Sequence, residues 1–159
     1  MTHHQSTRAV RALLAIAAVA SSSCSHSQAD ERAADGIVGA WRLVSLEEGG
    51  ADGTLHRADC TGSLILTREG RMSVQVMYRN VQSPTGAAPV QYAQGGYEAS
   101  FGRFQIDEPG RSFTYHVEGA LVRALIGKDL KRIYELSRNR LVVKPPTAEE
   151  HWRVTWERY

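Results

Sequence analysis

Two cysteines in 159 residues leave no room for a disulfide framework. Cys24 falls in a segment read below as a leader. The folded domain then carries Cys60 alone, and no internal disulfide can form. A surplus of one charge is also lacking. Of 19 lysines and arginines, Arg8 and Arg11 lie in the leader, and the 17 that remain match the 17 aspartates and glutamates. No Lys/Arg cluster tracks one face, which removes the basic patch that nucleic-acid binding by counterion release requires. The one long apolar run, ALLAIAAVA at 12–20, falls well short of the roughly 20 residues that span a bilayer. The glycine-rich stretches at 49–53 and 95–96 are not followed by a helix, so neither is a phosphate cradle. Long crossovers between strands are missing too, which argues against parallel pairing.

The N-terminus carries a secretory pattern. Arg8 and Arg11 form a positive region, the apolar run follows, and Ser27-Gln28-Ala29 places small residues before a cut at Asp30. The expected layout is a signal peptide at 1–29, a polar linker at 30–36 and one domain at 37–159. Cys24 offers a second route, because a cysteine after an apolar run and small residues is a lipid-attachment site. The stretch SSSC lacks the apolar residue that a bacterial lipobox carries three positions earlier. The expected location is the periplasm or the medium, with a membrane contact only through a Cys24 lipid anchor.

From residue 37 onward a period of two dominates, with turn signals every 8–12 residues over much of the chain. The alternation predicts strands over 39–48, 61–67, 71–79, 99–107, 111–119, 128–136, 140–144 and 150–158. Residues 120–126 form a loop or a helical turn, and 87–96 is the one candidate helix. These eight antiparallel strands predict an all-β, up-and-down barrel, closed so that no edge is left unpaired. A barrel of this size either fills with side chains or holds one small ligand. An open two-sheet sandwich is the structural alternative.

Gly39-Ala40-Trp41 opens the first strand with a G-x-W. A large aromatic at that point plugs one end of a barrel, and the glycine before it permits close approach. Here the chain resembles the lipocalins. The pieces GAWRLVSLE, TGSLILTREGRMSVQVM, FGRFQIDE, HVEGAL and WER occur in that order over 37–159. Together they are similar to the bacterial and fungal lipocalin-like domain proteins, which have a calycin-type barrel. The resemblance implies that an arginine from the end of the barrel, Arg158 or Arg153, stacks across Trp41. It implies no particular ligand. The stretch MYRNVQSPTG also replaces the Arg-Pro-rich segment usual at that position.

Alternation divides each strand into two faces. Met72, Val74, Val76 and Tyr78 oppose Ser73, Gln75, Met77 and Arg79; Phe113, Tyr115 and Val117 oppose Thr114, His116 and Glu118. One reading turns the apolar faces inward. The other, favoured by the places of these residues in the family's motifs, gives a mixed lumen. Its candidate ligand-binding residues are Gln75, Met77, Arg79, Tyr97, Arg103, His116, Glu118 and Arg132. Tyr92 and Tyr97 flank the long loop as candidate lid residues. His116-x-Glu118 is the one pair suited to acid–base chemistry. With His151 as a third group it resembles no known metal-ligand spacing, so no metal or other cofactor is expected. Trp152, Val154 and Trp156 read as core near Trp41, His56 as a solvated loop residue, and Cys60 as a small buried residue rather than a nucleophile.

The expectation is an exported barrel that binds a small hydrophobic or amphipathic molecule and no nucleic acid. Two alternatives stand beside it. One is an isomerase, cyclase or hydratase that uses His116 and Glu118 in the same cavity. The other is a structural envelope lipoprotein with a filled lumen.

Overall fold

Eight runs of alternating sequence become antiparallel strands, and the described residues hold a ninth, short strand besides. The computed structural model describes residues 36–50, 53–80, 92–107 and 109–159. In chain order they are β1 (Gly39–Gly49), β2 (Leu55–Arg57), β3 (Cys60–Leu66), β4 (Arg71–Tyr78), β5 (Tyr97–Asp107), β6 (Ser112–Ala120), β7 (Asp129–Ser137), β8 (Arg140–Lys144) and β9 (Trp152–Arg158). A single 3-10 turn, Arg123–Leu125, lies between β6 and β7. From β3 to β9 each strand pairs with the next, β1 pairs with β3, and β1 also pairs with β9. Eight strands therefore close into an up-and-down barrel. The β2 strand folds back on the end of β1, with Glu47 opposite Arg57 and Gly49 opposite Leu55. All three of its residues are exposed. It has no buried face to produce an alternating pattern, and the sequence reading missed it. The candidate leader, the linker up to residue 35 and Cys24 lie outside the described residues, as do 81–91 of the long loop. The remaining part of the expected helix, 92–96, instead forms a turn, with Gln94 bridged to Tyr97.

Two bulges decide which side chains face the lumen. On β1, Leu43 is opposite Trp156 and Ser45 is opposite Thr155, so Val44 is an extra residue. Strict alternation from Trp41 would turn Ser45 and Glu47 inward. The bulge shifts the parity, so Leu46 and Glu48 face the lumen instead, as an extra residue in one strand must. On β6, Phe101 is opposite Gly119 and Gly102 is opposite Val117, which leaves Glu118 as the extra residue. Gly102 is required there: a Cβ would stand 2.0 Å from the carbonyl oxygen of His116.

One end of the barrel is closed. Trp41 and Ile37 have no exposed surface. The Trp41 Nε1 donates to the Ile37 carbonyl at 2.9 Å. Arg158 lies across the indole, its guanidinium carbon 4.3 Å from the ring centroid, at a site where such a contact contributes ~1 kcal/mol. The same guanidinium donates to the carbonyls of Val38 at 2.8 Å and Gly36 at 2.9 Å. Gly39 has φ +144°, and a Cβ there would stand 2.3 Å from Arg158 Nη1. The glycine before the tryptophan is therefore the gap through which the arginine passes. Of the two candidate arginines, Arg158 is the one that stacks. Arg153 lies outside, where its Nε donates to Glu47 at 2.7 Å. Above Trp41 the barrel is packed by Leu66, Phe104, Tyr134 and Leu141, all buried.

Candidate ligand-binding cavity

Above that packed layer the side chains stop meeting. A cavity of about 1030 Å³ fills the other half of the barrel and opens between β2, the turn at 94–96 and residues 149–151. Its walls are mainly apolar, with Leu46, Val74, Val76, Val117, Leu125 and Trp156 among them. Val74, Val76 and Val117 are inward residues of the reading that turns apolar faces to the core.

The polar residues in the lumen form two groups, which adjoin where Glu48 on β1 is opposite Trp152 on β9. The first is centred on Arg132 of β7, which shares the inward face with Leu130 and Tyr134 and is only 7% exposed. Its guanidinium carbon lies 5.3 Å from the Tyr92 ring centroid and 5.0 Å from that of Trp152. The two rings meet edge to face. Arg132 donates to Tyr92 Oη at 2.9 Å and to the Lys131 carbonyl at 2.9 Å. Glu150 Oε2 stands 3.9 Å from it, and also accepts from Tyr92 Oη at 2.7 Å and from Trp152 Nε1 at 3.2 Å. A charge taken out of water must be paired and hydrogen-bonded, and this one is both. Burial pushes the Tyr92 hydroxyl up to about 12 against the opposing pull of Arg132.

The second group comprises Glu48, Tyr78 and Glu98. Tyr78 Oη donates to Glu48 Oε1 at 2.7 Å, and burial followed by that carboxylate raises the phenol strongly. Glu98 lies on the inward face of β5 with Ser100, Gly102 and Phe104, lines the cavity and is only partly exposed. Among the described residues no hydrogen bond or ion pair ends on its carboxyl, whose oxygens keep some accessible surface. Loss of solvation pushes its pKa up to about 7, with Arg132 pulling it down and Glu48 raising it. Deeper in, Tyr115 Oη donates to Ser100 Oγ at 3.0 Å, both residues being buried.

The structure keeps most of the residues that the sequence grouped out of the cavity. Of the eight candidate ligand contacts, only Arg132 lines the cavity. Gln75 and Met77 are on the outer face of β4, where Tyr97 Oη reaches Gln75 Oε1 at 3.3 Å. Arg79 is exposed and pairs with Asp59 at 3.3 Å. Arg103 and Arg71 both pair with Glu118, at 2.8 Å and 2.5 Å. His116 Nδ1 stands 2.7 Å from Asp129 Oδ1, also outside. Seven of the eight lie outside the cavity because the usual partition prevails on those strands: apolar faces are buried, and ionic side chains pair in solvent at little cost. The His116 and Glu118 pair therefore shares no cavity. The Cys60 thiol is held up to about 11 by burial and by Glu48 and Asp59, the opposite of an activated nucleophile. Among the described residues no three His, Cys, Asp or Glu side chains are placed to hold a metal. His56 and His151 sit at the mouth.

Two acids of the site, Glu98 and Glu48, escaped the sequence reading for different reasons. Glu98 shares parity with the buried Ser100 on β5, so its signal was there to be read. Glu48 was hidden by the bulge at Val44.

Comparison with known proteins fits this geometry. No curated protein matches the sequence. Among solved structures, a mutant of the fluorescent protein UnaG is similar at 14% identity and a TM-score of 0.39, covering 79% of this chain and 97% of that one. At that level the likeness adds nothing to the strand pairing. Residues 38–159 match the model of the lipocalin-like domain, from the residue before β1 to the end of the last strand. With a closed eight-stranded barrel, a G-x-W floor crossed by an arginine and that match, the chain belongs to the lipocalin-like domain family.

Proposed function

We propose that the protein binds one small, partly hydrophobic molecule inside the barrel. The observation that carries this reading is the cavity of about 1030 Å³ with apolar walls and a few inward polar groups. That is the usual make-up of a small-molecule site. A barrel serving only as a structural shell would be expected to fill this space with side chains, as the layer above Trp41 does. Each methylene moved from water to such walls contributes about 0.8 kcal/mol. A ten-carbon body thus gains up to roughly 8 kcal/mol before the cost of ordering it. The enzyme alternative loses its support, because its acid–base pair lies on the outer surface.

Export is part of the proposal. The positive, apolar and small-residue order of residues 1–29 supports delivery across a membrane. The mass of the natural chain tests it: one form begins at Asp30, the other is acylated at Cys24.

Filling the cavity tests the binding site. Val76 is 2% exposed and lines the lumen. Val76→Trp is expected to weaken binding of the neutral fluorophore N-phenyl-1-naphthylamine about tenfold or more, by occupying the space it needs. Far-ultraviolet circular dichroism should stay that of the native barrel. Undiminished fluorophore binding by the folded variant would place the binding site elsewhere.

A further inference from the structure

We infer that the molecule held in the cavity carries a cationic nitrogen: a protonated amine on an apolar body, received by Glu98 and Glu48. This rests on the binding reading above and names the ligand class for the same site.

Charge is unevenly distributed over the lumen wall. Four carboxyl groups line it, those of Glu48, Glu98, Glu149 and Glu150, with the exposed Arg57 at its rim. Facing them is one buried cation, Arg132. That cation is already committed. Its two ring neighbours cover the guanidinium, two of its donors are used on Tyr92 Oη and the Lys131 carbonyl, and Glu150 is its counter-ion. An incoming carboxylate would have to displace those partners and then sit in a cavity lined by four acids. Arg132 therefore belongs to the wall, not to the ligand.

What remains is an acceptor without a donor. Glu48 spends one oxygen on Tyr78 Oη and keeps the other. Glu98 has no hydrogen-bond or ion-pair partner among the described residues, although it projects into a mainly apolar cavity. A carboxylate in such surroundings costs free energy unless it is paired. Its neighbours do not pair it. Across β4 its register partner is Val76, and Tyr78 lies beyond. The charged and titratable groups that act on it or that it acts on are Arg132 from β7, Glu48 from β1, Tyr78 from β4 and Tyr115 from β6. The rise in the Glu98 pKa to about 7 expresses the same missing partner. A ligand ammonium group would supply the positive charge and up to three donors. Its apolar body would lie along Val74, Val117 and Leu125.

The test uses three probes with one alkyl chain: decylammonium, decanol and decanoate. Each is titrated calorimetrically into the protein at about pH 8.5 and about pH 5.5, on either side of the Glu98 transition. An alkylammonium keeps its charge at both, having a pKa near ~10.4 like lysine. Decylammonium is expected to bind about tenfold or more tighter than decanol at the higher pH, with decanoate weakest. The preference over decanol should fall about tenfold at the lower pH, as protonation of Glu98 competes with the cation. Glu98→Gln should collapse the same ratio at the higher pH. The comparison across pH needs no variant, so the inference stays testable even if that substitution perturbs folding. Equal binding of the three probes, or a preference for decanoate, overturns this inference and leaves the binding reading standing. No binding by any of them overturns both.

Discussion

Trp41→Ala is expected to cost about 4–5 kcal/mol of stability, at the upper end for loss of a buried aromatic. The indole has no exposed surface and donates to Ile37. It also carries the Arg158 guanidinium on its face. Removing it leaves a void at the closed end of the barrel and strips the arginine of its support. A domain of this size has a total stability of about 5–15 kcal/mol. The variant should therefore unfold at a much lower urea concentration and be partly unfolded at 37 °C. Urea denaturation followed by circular dichroism measures the loss. A cost below about 2 kcal/mol would mean that the floor is not the anchor of the barrel.

Glu98→Gln acts in the opposite direction and depends on pH. In the folded protein the carboxyl titrates at about 7, against 4.5 when unfolded. Below about pH 4.5 both states hold the proton, and the group contributes nothing to the pH dependence. As pH rises from there to about 7, the unfolded chain releases its proton first, so stability falls. Above about 7 the penalty is complete, up to roughly 3 kcal/mol in the ligand-free protein. The glutamine variant escapes it. Its melting temperature at pH 8 should exceed the parent's by on the order of 10 °C. The difference should close as the pH falls toward 4.5. A variant that is less stable at pH 8 would show that Glu98 has a protein partner. Sites held for binding are often strained in this way, with stability given up where the ligand is to supply the missing contact.

Most of the fold was legible because the barrel buries one face of nearly every strand. Met72, Val74 and Val76, or Phe113, Tyr115 and Val117, announce both a strand and its inner side. The β2 strand was not legible, since Leu55, His56 and Arg57 are all exposed and leave no alternation. The site was less legible than the fold. Arg132 was named as a candidate, but its place between Leu130 and Tyr134 on an otherwise apolar face, the stronger signal, went unused. Gln75, Met77, His116 and Glu118 were grouped by their places in the family's motifs, but they share only the outer surface, where Glu118 meets Arg71 and Arg103. Glu48 could not be placed by counting residues from Trp41. A bulge changes parity, and an extra residue such as Val44 is defined only against the partner strand, here Thr155 and Trp156.

The central claim is that the cavity is occupied in life. Native mass spectrometry of the protein isolated from its natural cells tests it most directly. The expected result is an added mass that is lost on denaturation and belongs to an amphipathic molecule with a basic nitrogen. A bare protein mass, unchanged on addition of basic, neutral and acidic amphiphiles, would contradict it.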